Sequence, residues 1–91
     1  MSENYAVTAN VGTAAVQVVP GNAGRNFLFI QNVGTVTAYF GFDANVTSTT
    51  YGFTLFPQAQ MELSGPQTYG GPIYACTASS TTTISYQDVS Q

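Results

Sequence analysis

The chain has 91 residues, 44% of them hydrophobic and only 5% charged, with a formal net charge of −3. An ordinary globular domain carries about 25% charged residues, so hydration here falls to Ser, Thr, Asn and Gln, and repulsion between copies is weak. The one basic side chain, Arg25, cannot neutralise a row of phosphates or hold an anionic bilayer surface, and no apolar run nears the roughly 20 residues of a spanning helix, so neither nucleic acid nor membrane is an expected partner.

Residues 1–12 are small and polar and are expected as a flexible N-terminal arm, with an extra strand conceivable around Tyr5 to Thr8. Met1 to Tyr5 lack a basic stretch and an apolar stretch, so no secretory leader is expected. Residues 13–91 are expected as a single domain, long enough to bury roughly 60–65% of its unfolded surface in one core. Ala14 to Val19 predicts a strand that Pro20-Gly21-Asn22-Ala23-Gly24 breaks. Phe27-Leu28-Phe29-Ile30 is the strongest strand and is apolar on both faces, as a strand central in a sandwich or covered by a partner would be. Ala38-Tyr39-Phe40-Gly41-Phe42 repeats that character, and Gly41 marks a bulge or a close backbone approach.

Asp43 to Gly52 is a Thr- and Ser-rich loop, the longest expected. Phe53 to Phe56 predicts a strand ending at Pro57, and Gln60 to Leu63 alternates so that Met61 and Leu63 face the core. Ser64-Gly65-Pro66 and Tyr69-Gly70-Gly71-Pro72 are turn clusters. Ile73 to Cys76 and Thr82 to Tyr86 predict a closing hairpin. Short β-branched and aromatic runs, separated by turns at intervals of about ten residues, define the fold class as all-β: a small, jelly-roll-like β-sandwich of seven or eight antiparallel strands.

Few residues carry chemistry. With no His, one Cys and four scattered acids, no metal site is expected, and no base stands beside a Ser, Thr or Cys nucleophile, so neither an enzyme nor a cofactor is expected. Cys76 cannot form an intrachain disulfide and reads as a small buried hydrophobe. Gly70-Gly71-Pro72 lacks the Lys of a phosphate loop and reads as a turn. Arg25 reads as an anchor at the start of its strand, bound by Glu62, by Asp88 or by loop carbonyls, with Arg25 and Glu62 the leading ion-pair candidates. Phe27, Phe29, Tyr39 and Phe40 are the candidates for contact with a partner or a second copy. Tyr51 and Tyr69 lie in loops and are the candidates for stacking on a ligand such as a sugar.

Three segments carry a resemblance: Arg25-Asn26-Phe27-Leu28-Phe29-Ile30-Gln31-Asn32, Tyr39-Phe40-Gly41-Phe42 and Gly52-Phe53-Thr54-Leu55. It continues through Met61-Glu62-Leu63-Ser64-Gly65-Pro66 and Ile73-Tyr74-Ala75. From Pro20 to Tyr86 the chain resembles small tailed-phage virion proteins of the capsid decoration, or cement, type. The resemblance implies a protein made in the host cytoplasm and carried on the capsid surface. It would be a homotrimer that binds the major capsid protein on the outside of the assembled head and stabilises it. The alternative it leaves open is a glycan- or receptor-binding module of a head fibre or tail.

Overall fold

The computed structural model describes residues 6–64 and 69–90. Eight strands form: β1 (Ala6–Val11), β2 (Val16–Val19), β3 (Arg25–Asn32), β4 (Ala38–Gly41), β5 (Phe53–Leu55), β6 (Gln60–Ser64), β7 (Ile73–Thr77) and β8 (Thr82–Ser90). They lie in two four-stranded sheets, β1-β8-β3-β6 and β2-β7-β4-β5, with every pairing antiparallel. Each connection except β4–β5 passes from one sheet to the other, which winds the chain as a jelly roll.

Residues 6–11, expected as part of an arm, instead form β1, whose Ala6 to Val11 pair with Gln87 to Thr82 of β8. The extra strand conceivable around Tyr5 to Thr8 thus runs over Ala6–Val11 and pairs the edge of β8, which would otherwise expose a row of unpaired backbone groups. The hairpin expected between β7 and β8 is also corrected. β7 pairs with β2 and β4, β8 pairs with β1 and β3, and the turn between them, with Ser80 at φ 65°, carries the chain between sheets. Each of these two strands is central in its own sheet, so pairing with each other would leave two strands without partners.

The core lies between the sheets. β3 sends Leu28, Ile30 and Asn32 inward, and β8 sends Ile84 and Tyr86 to meet them. Opposite stand Ala38 and Phe40 of β4 and Ile73 and Ala75 of β7. Phe40 is stacked on Phe53 of β5, with centroids 4.8 Å apart and planes at 2°. Met61 and Leu63 pack against this core, as their alternation requires. Each fully buried large side chain contributes about 1.5–3 kcal/mol, so Phe40, Leu28, Ile30, Ile73 and Ile84 carry much of the stability.

β3 therefore runs the length of the sandwich, and its two ends define two clusters of loops. At the Asn32 end lie residues 12–15, 33–37, 56–59 and 78–81, and at the Arg25 end lie 20–24, 42–52 and 69–72. Backbone hydrogen bonds tie each cluster together, from Asn32 N–H to the Ala59 carbonyl at 3.0 Å and from Asn22 N–H to the Gly70 carbonyl at 2.7 Å.

Candidate functional site

Arg25 opens β3 with its side chain fully buried. The ladder slips between Arg25 and Phe27, which turns Arg25 toward the inside while Phe27 stays outside. Its Nε donates to Asp88 Oδ1 at 3.0 Å and its Nη2 to Asp88 Oδ2 at 3.1 Å, a bidentate pair. Nη1 donates to the carbonyls of Tyr69 (2.8 Å) and Gly71 (3.1 Å), and Nη2 also donates to that of Pro20 (2.9 Å). All five guanidinium protons are thus used. The expectation that Glu62 partners Arg25 is corrected: Glu62 stands exposed on the outer face of β6, opposite Phe29. Asp88 wins because register places it on the inner face of β8, in line with Ile84 and Tyr86.

A second buried polar clamp closes the other end of β3. Asn32 is fully buried, and its Nδ2 donates to the carbonyls of Val36 (2.8 Å) and Leu55 (2.9 Å). Its Oδ1 accepts from Gly34 N–H (3.1 Å) and Thr82 Oγ1 (2.7 Å). A Cβ on Gly34 would collide with the Thr82 hydroxyl and lie 2.8 Å from Thr83 N, so the turn after Asn32 needs glycine. Arg25 and Asn32, at the two ends of β3, thus both tie loops to the sandwich.

The outer face of the β1-β8-β3-β6 sheet follows from register. Phe27, Phe29 and Gln31 of β3 lie beside Val89, Gln87 and Ser85 of β8 and beside Ser64, Glu62 and Gln60 of β6. Thr83 of β8 and Thr8 and Asn10 of β1 extend it. Phe27 and Phe29 are half-buried in the middle of a field of short neutral polar side chains holding one carboxylate, Glu62. The other two contact candidates do not join them. Phe40 is fully buried in the core and is corrected as a contact residue, because β4 alternation points it inward. Tyr39 lies on the outer face of the opposite sheet, with its ring 5.1 Å from that of Tyr51.

That opposite face is covered by the long β4–β5 loop. Val46 is buried over Gly41 and Cys76; a Cβ on Gly41 would sit 3.0 Å from that of Val46, so the close approach at Gly41 is made by a side chain and not by the backbone expected from the sequence. Cys76 Sγ lies 3.7 Å from the Val46 carbonyl oxygen, and burial pushes its thiol above the ordinary range. A cavity of about 300 Å³ opens beside this plug, lined by Gly41, Phe42, Asp43, Asn45, Val46, Thr50, Tyr51 and Gly52. Of the two ligand candidates, Tyr51 lines it. Tyr69 does not; its hydroxyl donates to the Pro72 carbonyl at 2.8 Å and its ring braces Phe42 at 4.3 Å. From the sequence, Asp43 and Asn45 offer oxygens to Ca²⁺ but lack the acidic spacing of a calcium motif, and Phe42 by itself carries no ligand signal. The signal available was the closeness of an aromatic, an acid and an amide within one loop.

Among the described residues, no group of three or more His, Cys, Asp and Glu comes together, and no helix is long and apolar enough to cross a membrane. No family model, curated protein or solved structure matches this chain.

Proposed function

We propose that this chain is a structural protein of a phage particle, a decoration protein that packs against copies of itself and against the major capsid protein on the outside of an assembled head. The observation that supports this most is the outer face around Phe27 and Phe29. It offers apolar rings in a nearly uncharged, hydrogen-bonding field, on a sheet of four paired strands. Such a face suits a protein partner, because burying it desolvates few charges. The only basic side chain in the sequence is saturated inside the fold, which favours contacts that do not involve phosphate.

Cementing then follows from mass action. A protein that binds only the assembled shell stabilises it by RT ln(1 + [L]/Kd), about 2.7 kcal/mol at a hundredfold excess over Kd. Linking three copies in a trimer over a three-fold axis raises avidity without new contacts.

The test uses purified protein and phage heads that lack it. Binding is expected, with a raised disruption temperature and an affinity that changes by less than about threefold between about 0.05 and 0.5 M salt. Sedimentation of the free protein should give a trimer, and the double variant Phe27→Ser/Phe29→Ser should sediment as a monomer with its fold intact. A monomeric wild-type protein at micromolar concentration that leaves heads unbound would refute the proposal.

A further inference from the structure

We propose that the cavity beneath the β4–β5 loop is a binding site for a neutral hexopyranose, the terminal residue of a glycan. This inference stands apart from self-association, because the cavity lies on the β2-β7-β4-β5 side, opposite the Phe27–Phe29 face. Its volume of about 300 Å³ sits at the lower limit of small-ligand sites, about 300–1,000 Å³, which suits one sugar ring rather than a larger cofactor.

The lining has the two kinds of group that sugar recognition needs. Phe42 and Tyr51 are 51% and 49% exposed, and both line the cavity. Neither is loose. The Phe42 ring rests against Tyr69, and the Tyr51 ring rests against Tyr39. Braced, exposed rings offer a flat apolar surface to the C–H face of a pyranose with little ordering cost on binding.

The loop backbone that carries the polar groups is also held. Asp43 Oδ1 accepts from Asn45 N–H at 2.9 Å, while its other oxygen has no hydrogen bond among the described residues. Thr47 Oγ1 accepts from Thr50 N–H at 2.9 Å, Thr47 N–H donates to the Thr50 carbonyl at 2.8 Å, and Gly52 N–H donates to the Phe40 carbonyl at 2.7 Å, closing the loop on itself and on β4. A carboxylate accepts hydrogen bonds from two sugar hydroxyls, and the Asn45 amide both donates and accepts. Charge narrows the ligand further. Among the described residues, Asp43 is the only charged group lining the cavity and Arg25 is fully engaged, so none of them brings a cation to a sialyl, sulfated or phosphorylated sugar.

The full chain is titrated with methyl galactoside, methyl glucoside and methyl mannoside, followed by amide NMR shifts, and probed on an array of neutral and acidic oligosaccharides. At least one neutral hexoside should shift the amides of residues 41–52 in a saturable way, and acidic termini should bind at least tenfold more weakly. Tyr51→Ala and Asp43→Asn should each weaken binding at least tenfold, with the remaining amide spectrum unchanged as evidence of fold. Phe56→Ala, at the far end of the sandwich, should bind as the wild type does. No saturable shift with any of the three hexosides, or binding that survives both Tyr51→Ala and Asp43→Asn, overturns the proposal.

Discussion

Replacing Arg25 by Ala removes the one cation and leaves Asp88 as a carboxylate with its bidentate partner gone. Removing one member of a buried ion pair costs about 3–5 kcal/mol. Three carbonyls, those of Pro20, Tyr69 and Gly71, lose their donor in the same step. Water reaches some of these groups, since the Asp88 side chain is 14% exposed, so the lower half of that range is the fairer figure. A chain of this length has a total stability of only about 5–14 kcal/mol. Arg25→Ala should therefore lower Tm by more than about 12 °C, at about 4–8 °C per kcal/mol. A thermal melt followed by circular dichroism measures the Tm, and urea titration followed by tyrosine fluorescence measures the free-energy loss. Arg25→Lys keeps the charge but loses the fork and should recover less than half of the loss. The double variant Arg25→Met/Asp88→Leu should lose less than the sum of the two single changes, since no charge is then left buried. A loss below about 1 kcal/mol for Arg25→Ala would refute the reasoning, because it would mean that the cage is solvated rather than a clamp.

Three further outcomes are expected. Asn32→Leu, nearly isosteric, strands two carbonyls, one N–H and one hydroxyl and should cost at least about 3 kcal/mol in urea unfolding, whereas Asn26→Ala on the exposed side of β3 should change stability by less than about 0.5 kcal/mol. Gly41→Ala should push Val46 off its seat, cost about 1–3 kcal/mol, and make Cys76 react with a thiol reagent at least tenfold faster in the native state, while an unchanged thiol rate would show that the loop yields without opening. Stability should be level near neutral pH and fall in alkali. Burial first and Asp88 second hold the Tyr86 phenol above its ordinary pKa, with Arg25 opposing, and burial does the same for the Cys76 thiol. A group whose folded pKa is raised keeps its contribution below its unfolded pKa and loses it as pH rises through the folded one. The urea midpoint should thus decline above about pH 9, less so in Tyr86→Phe, and a midpoint that climbs there has the wrong sign.

The strand positions were legible in the residues because the signals are local. Alternation and β-branched runs place β2 to β8 nearly where they lie, and Gly or Pro clusters end them. Phe27-Leu28-Phe29-Ile30 announced a strand apolar on both faces, and β3 lies inside its sheet with Phe27 and Phe29 half-buried on the outer face; the approach to Gly41 is by the Val46 side chain rather than by backbone. Sheet partnership was not legible. β1 pairs with β8 across nearly the whole chain, and nothing in the composition of residues 6–11 says so. The same distance hid the partner of Arg25. Glu62 was the leading candidate over Asp88 until the register of β3 on β8 put Asp88 inside and left Glu62 in solvent. The cavity is tertiary in the same sense: Phe42 and Tyr51 become braced, exposed rings only when Tyr69 and Tyr39 arrive beneath them. The amino-acid order by itself determined an all-β chain, its segments and its near lack of charge. Which strands met, which acid was buried and which aromatics stayed at the surface were decided by the tertiary structure, because period-two alternation says that a side chain points up or down but not what it will find there.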